Sequence, residues 1–217
     1  MATPYLQLWA EEVASTQDVA RSELDRLPVV VAAQRQTSGR GRGGASWLSA
    51  PRALAVSVAF HHSDEDLRPF SLMAGVAAAR GLEGVSLKWP NDLMADGAKV
   101  GGILVERAGE IVIGMGVNLW WPDAPDGMGA LHADDPGPGL HLQVAGIWAA
   151  ELMRLIEEDG WPVDEYRSLC STLGKKISWE PEGRGTAVDI TGEGALVVEV
   201  SGERETLSSG AVRHLRD

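Results

Sequence analysis

Residues 99–118 read KVGGILVERAGEIVIGMGVN, and this stretch decides the architecture of the chain. It holds two segments rich in β-branched residues, 99–107 and 110–118, which are separated only by Ala108 and Gly109. So short a connection containing glycine predicts a β-hairpin. Because a hairpin pairs its strands antiparallel, we expect a mixed or mostly antiparallel sheet rather than a doubly wound parallel one.

The rest of the chain predicts further strands, helices and a long loop. Strands are predicted at residues 5–9, 29–33, 54–60 and 85–90. Helices are predicted from a cap at Ser15 or Thr16 to Pro28, within 66–84, from Leu142 to Gly160 and from Val163 to Leu173. Residues 119–140 are dense in Pro, Gly and Asp, which predicts a loop.

After Gly174 the pattern changes to short alternating segments separated by glycine-rich turns, which predicts a small β-barrel. We therefore expect an α+β protein in two domains. Residues 1–173 would form the mixed or antiparallel sheet flanked by helices, and residues 174–217 the C-terminal barrel. A free edge of the central sheet would pair with a second copy, giving a homodimer.

The composition excludes several classes of protein. The chain has 217 residues, 44% hydrophobic and 23% charged, which is typical of a compact globular protein. Its net charge of -12 opposes binding to nucleic-acid phosphates. No apolar run reaches the roughly 18 residues of a membrane span, and the first residues are not those of an export signal. We expect a cytoplasmic protein with neither DNA nor a membrane as partner.

Cysteine and histidine usage argues against a protein-bound metal. Cys170 is the only cysteine, so neither an intrachain disulfide nor a multi-cysteine zinc site can form. The five histidines are scattered along the chain. No metal cluster is predicted.

Two polar motifs carry the candidate chemistry. GRGRGG (39–44) sets Arg40 and Arg42 among glycines, so that backbone N–H groups and guanidinium groups can both approach an anion. Alone, the motif is a weak signal, because a solvated loop or an RGG-like nucleic-acid segment is the alternative interpretation. KWPND (88–92) presents Lys88, Asn91 and Asp92 beside a proline turn. These side chains suit a nucleotide, although Asn-Asp after proline is also common turn chemistry.

Glycines inside the predicted hairpin are a third feature. Gly101 and Gly102 interrupt one strand, and Gly114 and Gly116 interrupt the other. Glycine weakens a strand, so its presence indicates either a closely approaching ligand or backbone, or a β-bulge.

Together, GRGRGG (39–44), LKWPND (87–92), KVGGILVE (99–106) and IVIGMGVN (111–118), in this order and spacing, resemble the biotin protein ligase family. The resemblance runs from about Val13 to the carboxyl end, and the β-rich tail resembles that family's SH3-like domain. It implies a class II synthetase-like catalytic domain, here in the short form without a preceding helix-turn-helix. Such enzymes adenylate biotin with ATP and magnesium, then transfer biotin to a lysine of the carboxyl carrier protein of acetyl-CoA carboxylase.

The resemblance also implies roles for individual residues. The implied biotin contacts are Ser15, Thr16, Gln17, Gln36, Gly39, Arg40, Gly41, Arg42, Trp47, Lys99, Gly102 and Leu104. The implied ATP contacts are Arg40, Arg42, Lys88, Asn91, Asp92 and Asn118. The implied catalytic residues are Lys99, Arg40, Arg42 and Lys88. Ser15 and Thr16 could instead be helix caps, and Trp47 could be a core residue.

Two other functions remain open from sequence. A lipoate or octanoate ligase shares the fold and the acyl-adenylate chemistry, although the pairing of GRGRGG with KWPND favours biotin. A non-catalytic ligand- or RNA-binding module is the second, although it predicts a basic surface that this acidic chain lacks. The loop also departs from the family's usual Arg-Arg-Gly-Arg, because residues 42–45 read Arg-Gly-Gly-Ala and two positive charges are missing.

Overall fold

A computed structural model describes residues 4–62, 69–158, 160–181 and 183–215. The larger of its two sheets is built from β1 (Leu6–Val13), β2 (Val29–Gln36), β3 (Arg52–His61), β4 (Ser86–Lys88), β5 (Asp92–Ala95), β6 (Ala98–Arg107) and β7 (Glu110–Trp120). Their order across the sheet is β1-β2-β3-β7-β6-β5-β4. Only β1 and β2 run parallel, and β6 and β7 form the predicted hairpin. The expected mixed sheet is confirmed.

Four helices cover this sheet. They are α1 (Thr16–Ser22), α2 (Phe70–Gly81), α3 (Leu140–Glu157) and α4 (Val163–Leu169). Along β2, Val29 and Val31 join a small core that includes Ala20 of α1, whereas Val30 and Ala32 join the main core with α2 and α3. Since successive side chains of a strand point to opposite faces, burial on both faces explains why β2 reads as an unbroken apolar run.

The second sheet is small and antiparallel. It contains β8 (Lys176–Trp179), β9 (Gly183–Ile190), β10 (Leu196–Val200), β11 (Glu203–Leu207) and β12 (Val212–His214), in the order β11-β10-β9-β8-β12. Its buried side chains belong to the same core as α2. The predicted C-terminal β structure is confirmed. Within the described residues, however, no pairing between the two end strands closes it into a barrel. The domain division after residue 173 stays a prediction.

Several element boundaries differ from the predictions. Helix α1 ends at Ser22 rather than near Pro28, and the Ser22 hydroxyl donates to the Val19 carbonyl at 2.9 Å, a local bond that competes with helix continuation. Helix α4 ends at Leu169 instead of Leu173. The predicted segment 66–84 contains α2, although residues 66–68 lie outside the described part of the chain.

Two strands were not predicted. Strand β11, ERETL, lies at a sheet edge with almost every residue exposed, so it lacks apolar alternation. Strand β5 is four residues long and follows directly on the KWPND turn.

Candidate active site

A cleft of about 330 Å³ opens where the end of β2 and the middle of β6 and β7 meet the loop 39–47. Its wall is completed by Ala211 and Val212 of the second sheet. The predicted site residues on the lining are Ser15, Thr16, Gln17, Gln36, Arg40, Gly41, Arg42, Trp47, Lys88, Asn91, Asp92, Lys99, Gly102 and Leu104. The structure therefore brings together nearly all residues that the motifs singled out, across about 90 positions of sequence.

One end of the cleft is polar, neutral and buried. Ser15 is the N-cap of α1, and its hydroxyl accepts from the Asp18 N–H at 3.5 Å. Gln36 Oε1 accepts from the Thr16 N–H at 2.8 Å and from its hydroxyl at 3.0 Å. The Thr16 hydroxyl also lies 2.8 Å from that of Ser57. A ligand group with its own N–H and C=O could satisfy such side chains.

The Trp47 ring lies flat on the floor of the cleft. The backbone N–H of Trp47 donates to the Gly39 carbonyl at 3.0 Å, which fixes the backbone from which the side chain extends. A Cβ added at Gly116 would lie 2.8 Å from two ring atoms, and one at Gly102 would lie 3.3 Å from the ring. These two positions are therefore glycine because the indole needs the space. Trp47 is half-buried at the site and is not a core residue.

Gly101, the neighbour of Gly102 on β6, is a glycine for a different reason. The register between β5 and β6 shifts so that Val100 is skipped, which is the bulge considered for this segment. Beside it, a Cβ on Gly101 would approach the Gly116 carbonyl oxygen to 2.7 Å. Both explanations proposed from sequence thus apply, a bulge at Val100 and a close approach by backbone at Gly101 and by Trp47 at Gly102.

A cationic centre lies at the other end of the cleft. Asp92 sits between two lysines, with Lys99 Nζ 2.5 Å from its Oδ1 and Lys88 Nζ 3.4 Å from its Oδ2. Lys99 Nζ is also 5.9 Å from the centroid of the Trp47 ring, within cation–π range. Two ammonium groups share one carboxylate, so the centre keeps positive charge for an anionic ligand.

Arg42 links the loop 39–47 to the KWPND turn and to Gly210, just before β12. Its Nη1 donates to Asn91 Oδ1 at 3.1 Å and to the Gly210 carbonyl at 3.3 Å. Asn91 in turn donates from Nδ2 to the Ile103 carbonyl at 2.9 Å. The loop, the KWPND turn and the second sheet thus meet at one guanidinium group.

Two predicted site residues do not line the cleft. Asn118 is fully buried, with its Oδ1 accepting from the Ala50 N–H at 3.4 Å and its Nδ2 donating to the Gly129 carbonyl at 3.0 Å. Both amide atoms hold loops together, and the predicted ATP contact of Asn118 stays a prediction. Gly39 lies beneath Gln36 and Trp47, and a Cβ there would meet them at 3.0 and 3.2 Å.

Sequence reasoning missed some residues of the site. Ser57 is fully buried within the strand run LAVSVAF, and a lone hydroxyl in an apolar strand was the available signal. Ala211 and Val212 reach the cleft from the C-terminal sheet, which no local pattern indicates. Asp18 and Glu106 were also missed, although they hold Arg40.

The described residues contain neither a metal-binding cluster nor a membrane-spanning helix. In residues 4–62, 69–158, 160–181 and 183–215, no three His, Cys, Asp or Glu side chains gather into a metal-binding group. None of the helices in these ranges is both long and apolar enough to cross a membrane.

The sequence and the structure both match known proteins. Residues 9–121 match the model of the biotin/lipoate A/B protein ligase family. The chain is 33% identical over 220 residues to a biotin–acetyl-CoA-carboxylase ligase of Mycobacterium tuberculosis, with 91% of this chain and 83% of that relative covered.

Among solved structures, a biotin protein ligase from Aquifex aeolicus, in complex with biotin and ATP, has a TM-score of 0.83 at 24% identity, with 97% of this chain and 99% of that chain covered. One from Leishmania major, in complex with biotinyl-5-AMP, has a TM-score of 0.64 at 27% identity, with 94% and 98% covered.

Proposed function

The chain belongs to the biotin/lipoate A/B protein ligase family, and from this premise we propose that it adenylates biotin with ATP and transfers the biotinyl group to a lysine of a carboxylase carrier protein. The resemblance drawn from the four motifs is confirmed. The two alternative functions find less support, because the relatives are named as biotin ligases. We further propose that the enzyme works in the cytoplasm, where ATP is supplied.

One observation carries the proposal, namely that a single cleft joins a buried neutral polar end to a cationic centre. Thr16 and Gln36 form the first, and Lys88, Lys99 and Arg42 surround the second. Biotin has the matching chemistry, since a ureido ring with N–H and C=O groups is linked by an alkyl chain to a carboxylate. The dithiolane ring of lipoate has no N–H or C=O group with which to exchange hydrogen bonds with these side chains.

In the first step, a carboxylate oxygen of biotin attacks the α-phosphorus of ATP. The bond from that phosphorus to the bridging oxygen breaks, and pyrophosphate leaves. Both reactants are anions, so the main requirement is to bring them together and neutralise their charge. Lys99 and Lys88 would do this, with Asp92 holding both ammonium groups in place until the ligands arrive.

In the second step, the neutral amine of a carrier lysine attacks the carbonyl carbon of the adenylate. The bond from that carbon to the phosphate oxygen breaks, AMP leaves and the amine proton passes to water. Trp47 would lie against the biotinyl group, and the loop 39–47 would shield the mixed anhydride from hydrolysis. No covalent enzyme intermediate is required.

We propose that magnesium enters with ATP. The described residues hold no cluster of three or more ligating side chains, and Asp92, the carboxylate in the cleft, is paired with lysines. This donor set fits an ion held mainly by phosphate oxygens and water, with Asp92 and Asn91 as its protein contacts. The ion would neutralise charge on the phosphates.

The transfer step gives the test of this function. The enzyme would be incubated with ATP, magnesium, biotin and an unmodified biotin carboxyl carrier domain, and labelling detected with streptavidin. We expect labelling of the carrier and none when its acceptor lysine is replaced by arginine. Labelling of both carriers, or of neither, would contradict the proposal.

We also propose a homodimer formed through β1, the edge of the larger sheet. Its outer side is unpaired in the described residues, and Leu6 and Trp9 are 43% and 42% exposed. Exposed apolar side chains on a free strand edge favour pairing with a second copy. Sedimentation equilibrium should give a dimer for the wild type and a monomer for Trp9→Arg. A monomeric wild type at high concentration would exclude this interface.

A further inference from the structure

Arg40 is held by a carboxylate that the motifs did not single out. Its Nη1 and Nη2 donate to the two carboxylate oxygens of Asp18 at 2.8 and 2.6 Å, a bidentate pair with fixed geometry. Asp18 lies in the first turn of α1, directly after the segment Ser15–Gln17 that lines the buried end of the cleft. The pair therefore joins the loop 39–47 to that end.

The same guanidinium reaches a wider network of charges. Arg40 Nη2 lies 3.5 Å from Glu106 Oε1 on β6. Arg21, one turn after Asp18, holds Glu106 at 3.0 Å and Glu110 at 2.6 Å. Two arginines and three carboxylates thus connect α1, the loop, β6 and β7. Within this network the charge of Arg40 is balanced by carboxylates of the protein itself.

The second arginine of the loop, Arg42, has neutral hydrogen-bond partners instead of carboxylates. Arg42 donates to two neutral acceptors, Asn91 Oδ1 and the Gly210 carbonyl, and makes no ion pair within the described residues. An arginine already paired with carboxylates gains little by moving to a phosphate, since it must first leave its partners. One that contacts only neutral groups keeps its full charge available to an anion.

We propose that Arg40 is a positioning residue, which anchors the loop to α1 and β6 through Asp18 and Glu106 and leaves the adenylate contact implied for the loop's arginines to Arg42. This assignment rests on the proposed function. It differs from the role implied by the family resemblance, in which both arginines contact the ligand. Asp18 and Glu106 become part of the machinery of adenylation, although neither touches the substrate.

The pairing of Asp18 with Arg40 affects how much the loop 39–47 must become ordered when biotin binds. Because the pair of Asp18 and Arg40 uses only groups of the protein itself, it can hold the loop at its amino-terminal end before biotin enters. The loop then needs to lose less conformational freedom on binding, so the anchor lowers the biotin concentration needed for half-maximal rate. Removing either partner should weaken biotin binding and change the chemical step less.

A double-mutant cycle separates an anchor from a ligand contact. The variants are Asp18→Ala, Arg40→Ala and the two combined, with Asp164→Ala as a matched control that removes an exposed partner of Arg167 on α4. Biotin-dependent exchange of pyrophosphate into ATP gives kcat and the KM for biotin. Hydrogen–deuterium exchange of amides 39–47 in the unliganded protein reports loop order without requiring catalysis.

We expect both single variants to raise the KM for biotin about 2- to 5-fold and to speed loop exchange, as for a partly exposed ion pair. The combined variant should be no worse than Arg40→Ala, and Asp164→Ala should match the wild type. The proposal would be overturned if Asp18→Ala had normal kinetics and normal loop exchange while Arg40→Ala was impaired. It would also be overturned if the loss in the combined variant equalled the product of the two single losses. A wild type without biotin-dependent exchange would contradict the proposed function alone, since loop exchange still tests the anchor.

Discussion

The contact of the Trp47 ring with Gly102 and Gly116, which form the floor of the cleft, gives a specific prediction. In Gly116→Ala, the new Cβ would lie 2.8 Å from two atoms of the indole ring. That is about 0.8 Å inside an ordinary carbon–carbon contact. The hydrogen bond from the Trp47 N–H to the Gly39 carbonyl holds the root of the side chain, so the ring must tilt into the cleft. Overpacking of this size costs about 1–3 kcal/mol.

Since the half-buried ring can move towards solvent, we expect this cost to appear in ligand binding. The KM for biotin should rise about 5- to 150-fold, while the free energy of unfolding, measured in urea, changes by less than about 1 kcal/mol. Gly146→Ala in α3 is the matched control, because an added Cβ there meets nothing within 4 Å. A folded Gly116→Ala protein with the wild-type KM would refute the packing of Trp47 on this floor.

Three further predictions follow from the described contacts. Lys99→Ala should slow adenylation by roughly ten- to over a hundred-fold, since it removes a charge-assisted bond worth about 1.5–3 kcal/mol, and unchanged pyrophosphate release would count against this role. Tyr166→Phe should leave the free energy of unfolding in urea within about 1 kcal/mol of the wild type, because the buried hydroxyl has only the weakly bonding Cys170 thiol beside it in the described residues; a larger loss of stability would contradict this. Burial lowers the pKa of His141 and of His214, so their contribution to stability is present above about pH 6.5 and lost as the pH falls through their folded values. Thermal unfolding between pH 7.5 and 5 should show this loss, and a midpoint that rises on acidification would contradict it.

The elements with strong local patterns could be predicted from sequence. The hairpin of β6 and β7 follows from two β-branched segments around Ala108 and Gly109, and the helix stripe from Leu142 gave α3. Strand β11 could not be found, because its side chains face solvent and carry no apolar period. The early end of α1 is accompanied by a hydrogen bond from the Ser22 hydroxyl to the Val19 carbonyl, and the hydrophobic pattern of the sequence does not predict such a bond.

The candidate site was predicted through its motifs and extended by the structure. Many of the residues on the lining come from segments that the motifs marked, because glycine, lysine and arginine at those spacings are unusual in ordinary strands and loops. The ATP contact of Asn118 stays a prediction, since its amide braces two loops and the local sequence looks the same whether such an amide faces a ligand or a loop. The partners of Arg40 lie at positions 18 and 106, and only folding brings them within reach.

The central claim is that this cleft activates biotin as its adenylate. The most direct test is exchange of labelled pyrophosphate into ATP by the purified chain with magnesium, compared between biotin and lipoate. The account predicts exchange that depends on biotin and falls at least tenfold in Lys99→Ala. Exchange that depends on lipoate and not on biotin, or none with either acid, would contradict it.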